Sequence, residues 1–69
     1  MTIQVNDRFI NLSVEIDTDE HGNERVTPPG SVWRVTGHNC DDVWDIVCDA
    51  TGAWICPTEA ELAEQFQRA

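Results

Sequence analysis

The stretch FINLSVEID, Phe9 to Asp17, does most to limit what this chain can fold into. Ile10, Leu12, Val14 and Ile16 alternate with Asn11, Ser13, Glu15 and Asp17. A period of two belongs to a β-strand with one face buried and one wet. The spacing predicts a strand that sends these four aliphatics inward, with Phe9 extending its start. The strand runs into DTDEHGNE, where Gly22-Asn23 supplies a turn. ERVT returns as a short strand with Val26 inward, and a first hairpin results.

Punctuation divides the rest. In Pro28-Pro29-Gly30, Pro29 suits the second position of a type II turn and Gly30 the third, where φ is positive. SVWRVTG is the third strand, with Trp33 and Val35 on one face and Val32, Arg34 and Thr36 on the other. HNCDD is expected as a loop. VWDIVCD is the fourth strand, with Trp44, Ile46 and Cys48 on one side. DATG is a tight turn and AWIC the fifth strand. Placing Cys48 opposite Ala53 turns Ile55 inward and leaves Trp54 and Cys56 on the other face. Pro57 ends the strand. Thr58-Glu59-Ala60-Glu61 has the spacing of a capping box, and Leu62 and Phe66 fall on one face of the helix it opens.

These elements make one domain over residues 1–69, mainly β. The expected architecture is a small, strongly bent, five-stranded antiparallel sheet, an SH3-like barrel, with one short C-terminal helix across an open end. A flatter sheet with the helix packed on one face is the alternative.

Charge bears most on function. Thirteen Asp and Glu stand against four Arg, with no Lys, for a formal net charge of −9. A small soluble domain usually lies within about 2–8 charges of neutral. So acidic a chain repels nucleic acid and anionic membranes and is steered toward a basic partner. Solubility or salt adaptation is the plainer account of the same composition. The longest apolar run, AWIC, is far too short to cross a bilayer. MTIQVNDRFI has neither the basic start nor the apolar stretch of a signal peptide. The expected location is therefore the cytoplasm, with thiols mostly reduced. A monomer and a dimer both remain open.

Cys40, Cys48 and Cys56 are spaced by eight, with His38 two before Cys40. Zinc sites pair their ligands two to four residues apart, usually in two pairs. Only His38 and Cys40 meet that spacing, and no C-x-x-C redox pair exists. Small buried or half-buried residues are the favoured reading, with a disulfide and a metal site left open. No metal and no cofactor are expected. Nor is catalysis: G-x-S-x-G, H-E-x-x-H and a glycine-rich phosphate loop are all missing from the sequence. The many carboxylates look exposed, where an acid/base role needs a buried one.

Three acidic rows remain. Glu15, Asp17 and Asp19 occupy every second position of a strand, which sets like charges about 6–7 Å apart, comparable with phosphates along one strand of B-DNA. Glu20 and Glu24 continue that row. Asp41, Asp42, Asp45 and Asp49 form a second row, and Glu61 and Glu64 a third. Any one row reads as a solvated face; three without a lysine suggest a use. Of the tryptophans, two fall on faces claimed by the core, and Trp54 is the expected contact residue.

In size, acidity and strand content the chain resembles the small phage-encoded anti-CRISPR proteins that mimic DNA, among them those directed at type I-C systems. The resemblance implies a stoichiometric inhibitor, bound to the basic DNA-binding surface of a CRISPR effector in the cytoplasm of the host cell. It rests on no single motif. A second likeness is to SH3-like modules: VNDRF is similar to their opening V-x-G-D-x-V, with Asn6 in place of the glycine. That likeness implies an adaptor reading a peptide through Trp54. Glu15, Asp17, Asp19, Glu20, Asp41, Asp42, Asp45 and Trp54 are the residues expected at a partner.

Overall fold

The computed structural model describes residues 2–69. Its strands are β1 (Arg8–Asn11), β2 (Glu15–Thr18), β3 (Glu24–Thr27), β4 (Val32–Cys40), β5 (Val43–Val47), β6 (Trp54–Ile55) and β7 (Phe66–Arg68), with the helix α1 (Glu59–Gln65) between β6 and β7. Five strands form one antiparallel sheet in the order β6-β5-β4-β1-β7, and β2 and β3 pair as a separate hairpin. The expected class holds: mainly β, five antiparallel strands and a single helix. The sheet is not closed into a barrel, because β6 and β7 are its two edges and do not pair. Chain that could join them is instead coiled into α1.

The membership of the sheet differs from expectation. FINLSVEID is not one strand. It breaks at Leu12-Ser13-Val14, so that β1 joins the sheet and β2 leaves it for the hairpin. The buried face is also the opposite one. Phe9 and Asn11 are buried, whereas Leu12, Val14, Ile16 and Val26 are all more than half exposed. Thr27 is inward in place of Val26. The cause is Asn11. Its Nδ2 donates to the carbonyls of Ser13 (2.8 Å), Thr27 (3.3 Å) and Pro28 (3.0 Å). Its Oδ1 accepts from the Ser31 backbone N–H at 3.0 Å and from Trp33 Nε1 at 3.2 Å. Where the chain leaves the sheet, backbone groups lose their ladder partners and need others. An amide with two donors and an acceptor supplies them, and an aliphatic side chain cannot.

The remaining strands follow their patterns. Trp33, Val35, Ile46 and Cys48 are fully buried. Together with Phe9, Leu62 and Phe66 they form the core, and Trp33 meets the Phe66 ring edge-on at 5.9 Å. Each large aromatic buries roughly 150–250 Å², a gross hydrophobic gain of about 4–6 kcal/mol. Gly30 takes φ +82°, as the turn after Pro29 requires. Ile46 pairs with Ile55 and Val47 with Trp54, and the Cys48 N–H donates to the Ala53 carbonyl, which is the expected register.

Two boundaries move. HNCDD is only partly a loop: His38 to Cys40 extend β4, and Asp41 and Asp42 alone make the turn. His38 stacks on Trp44, centroids 4.2 Å apart, which holds the strand ends together. At the C-terminus the capping box forms, with Thr58 Oγ1 accepting from the Glu61 N–H and Glu61 from the Thr58 N–H. Phe66, however, is not helical. It ends α1 in an extended conformation and begins β7, which pairs with β1.

Candidate acidic interface

Three of the four arginines are consumed locally. Arg68 Nη1 lies 2.9 Å from Asp7, Arg34 grips Asp49 through two hydrogen bonds of 3.1 Å, and Arg25 Nε lies 2.9 Å from Asp19. Arg8 stands opposite Arg34 on β1 and β4. The guanidiniums hold Asp7 and Asp49 below the usual carboxylate range. Ten of the thirteen carboxylates have no arginine partner among the described residues.

Contacts, one shared cleft and chain adjacency connect seven of these ten. Asp41 and Asp42 are exposed at the β4–β5 turn. The Glu59 N–H donates to the Asp42 carbonyl, and Glu59 Oε1 accepts from Trp44 Nε1 at 3.4 Å. Glu61 follows on the helix and, with Glu15 and Asp17 of β2, lines a shallow cleft of about 140 Å³ floored by Ile55, Cys56 and Pro57. Asp45 reaches the same place, its Oδ1 accepting from Cys56 Sγ at 3.0 Å and Asn39 Nδ2 at 3.3 Å. None of the four arginines lines the cleft. Burial pushes the Glu15 carboxyl up, and Asp17 and Glu61 add to it by repulsion. Burial alone pushes Asp17 up, and its Oδ2 is buried without a hydrogen bond.

Glu15, Asp17 and Asp19 do share one face of the hairpin, but that face turns toward the body of the protein. Asp19 is 8 % exposed and braces the hairpin tip. It accepts from the backbone of Asn23 and His21 and from Arg25, and these bonds hold its carboxyl below the usual range. Its role is structural, and it stands apart from the exposed carboxylates. Glu20 is exposed at the tip, with His21 Nε2 3.4 Å away. Glu59 and Glu61, absent from the expected contact set, join it, Glu59 through Asp42 and Trp44 and Glu61 through the capping box; the T-x-x-E spacing was the signal that fixes where Glu61 points.

The aromatics part company as well. Trp33 is core and Trp44 is half-buried beneath His38. Trp54 is 46 % exposed. It floors a separate open groove of about 500 Å³, walled by Val47, Thr36, Gly52 and the hairpin tip. Cys40, Cys48 and Cys56 are all free, and only Cys48 is buried. Among the described residues no group of three or more His, Cys, Asp and Glu side chains is placed to hold a metal ion. No helix among them is long and apolar enough to cross a membrane.

The chain matches no family model, no curated protein and no solved structure.

Proposed function

We propose that this chain is an acidic inhibitor that acts by mimicking a nucleic-acid backbone. It binds the DNA-binding surface of a CRISPR surveillance complex and blocks target DNA, as the anti-CRISPR resemblance implies. The observation that carries the reading is charge segregation. Glu15, Asp17, Asp41, Asp42, Asp45, Glu59 and Glu61 are connected through one cleft and the β4–β5 turn, and three arginines are spent on Asp7, Asp19 and Asp49. Like charges held together on a folded scaffold cost stability, and a cationic partner removes that cost. Carboxylates on this face would pair with the Arg and Lys side chains that otherwise hold phosphates, through charge-assisted hydrogen bonds. The mechanism is competition, with no bond made or broken.

The test is a binding competition on a purified type I-C surveillance complex. Prebound protein should exclude a target duplex, and prebound duplex should exclude the protein. Raising salt from about 50 to 300 mM should weaken the complex tenfold or more, since exposed charges are screened over a few ångströms at the higher concentration. A stable ternary complex with DNA would overturn mimicry.

A second reading, an SH3-like adaptor for a basic or peptide partner, is favoured by one observation, the open groove beside Trp54.

A further inference from the structure

The groove at Trp54 shares no lining residue with the acidic cleft. Its floor is the outer face of the sheet, where Val47 and Trp54 are cross-strand neighbours and Thr36 lies alongside. Gly52, which lies close to Asp19, and the hairpin tip, with Glu20 and His21, complete its lining. The charges around it are mostly cancelled. Asp19 is paired with Arg25. Further along the same row of the sheet, Arg34 stands beside Val47 but is held in a double hydrogen bond by Asp49. Glu20 is the groove's one carboxylate without an arginine, and its side chain is 80 % exposed.

An indole floor, a short aliphatic wall and one carboxylate without an arginine define what fits. A guanidinium is flat, lies against an aromatic face and is weakly hydrated, so it loses little on leaving water. Its three-carbon stem matches the Val47 wall, and its N–H groups reach that carboxylate. A carboxylate or phosphate is disfavoured here, because Glu20 and the net charge of −9 both repel it.

We propose that the Trp54 groove is an anchor for one arginine side chain of the basic partner, stacked on the indole and paired with Glu20. This rests on the reading that the partner is a basic protein surface. It adds a stereochemically selective contact to an encounter that is otherwise selective only for charge. Lysine, a compact and strongly hydrated ammonium, gains less from the same groove.

The test uses hexa-arginine and hexa-lysine as probes of the intact protein. The indole N–H resonance of Trp54 should shift saturably with hexa-arginine and much less with hexa-lysine. Trp54→Ala should weaken hexa-arginine about three- to tenfold, the range expected for a partly exposed cation–π contact. Trp54→Phe should recover part of the loss, and Glu20→Gln should weaken binding about two- to threefold. Unchanged circular dichroism confirms that the variants fold. An unmoved Trp54 resonance, equal binding by Trp54→Ala, or a response to hexa-proline in place of hexa-arginine overturns the proposal.

The two readings fail separately. Loss of hexa-arginine binding in Glu15→Gln/Asp17→Asn/Glu61→Gln, with no effect of Trp54→Ala, removes the anchor and leaves mimicry standing. A saturable Trp54 shift alongside a ternary complex with DNA removes mimicry and leaves the anchor.

Discussion

Asp17 stands directly across the hairpin from Arg25 and is not neutralised by it. Arg25 gives its Nε–H to Asp19, and Asp17 Oδ2 is left buried with no donor. The two aspartates of one strand and its turn are therefore tuned in opposite directions, Asp17 upward by burial and Asp19 downward by its backbone and Arg25 hydrogen bonds. An unpaired buried carboxylate is costly in its charged form, and an amide of the same shape is not charged. Asp17→Asn should stabilise the fold at pH 7, seen as a rise in Tm of a few degrees. The gain depends on pH. A raised folded pKa means that the burden of Asp17 is present above that pKa and is relieved as pH falls through it, so the gain from Asp17→Asn should vanish in acid. Asp19 contributes above the usual Asp pKa, and its contribution is lost as pH falls through its depressed folded value. Thermal melts of wild type and Asp17→Asn from pH 7 to pH 3 check both.

Asn11 should be among the least replaceable residues. It is 1 % exposed and serves three carbonyls, one backbone N–H and the Trp33 indole. Asn11→Leu puts an apolar side chain at this buried position and leaves those groups without partners. The expected cost is about 2–4 kcal/mol, since each stranded buried group costs about 1–3 kcal/mol and some regain water. Chemical denaturation should show this as a lower midpoint. A variant as stable as wild type would mean that the amide does not govern the local fold.

That residue also marks where sequence reasoning succeeds and where it stops. The faces of β4 and β5 were legible because Trp33, Val35, Ile46 and Cys48 are apolar residues at alternate positions, and burial rewards that pattern directly. The capping box was legible because Thr58 and Glu61 satisfy local backbone groups at fixed spacing. The face of FINLSVEID was not, because the choice between Asn11 and Leu12 turns on carbonyls sixteen and seventeen residues away. β7 was hidden for a similar reason: Phe66 continues the helical spacing from Leu62, and only β1 makes it a strand. The acidic rows were visible as counts. Their grouping was not, since it depends on α1 and the β4–β5 turn bringing Glu59 and Glu61 beside Asp42 and Glu15.

The thiols give a check on the acidic cleft that needs no partner. All three cysteines are free, with Cys48 buried and Cys40 and Cys56 exposed. A disulfide-exchange reagent should label two thiols in the folded protein and the third only on unfolding. Burial, and then the neighbouring Asp45 carboxylate, push the Cys56 thiol up. The thiolate is the reactive form, so Cys56 should react several-fold more slowly than Cys40 near pH 8. Asp45→Asn removes the repelling charge and keeps an acceptor for the Sγ–H, and should speed Cys56 alone. An equal rate for Cys56 in both proteins would place Asp45 away from the thiol in solution.

The charge reading makes its sharpest demand at the β4–β5 turn. Asp41 has φ +20°, a backbone that Asn tolerates and Lys does not favour, so the variant to make is Asp41→Asn/Asp42→Lys/Asp45→Asn. It moves the formal net charge from −9 by four units while keeping the turn and the acceptor at Asp45. Singly, rim charges are worth little, but as a group they set the on-rate and the salt dependence of a charged encounter. The triple variant should bind the surveillance complex about tenfold or more weakly at low salt, chiefly through slower association, and the gap should narrow as salt rises. Its Tm should stay level or increase, because repulsion within the face is relieved. Trp54→Ala should instead lower affinity by a similar factor at every salt concentration. Equal affinity of wild type and triple variant at 50 mM salt would show that the acidic face is only a solvated surface.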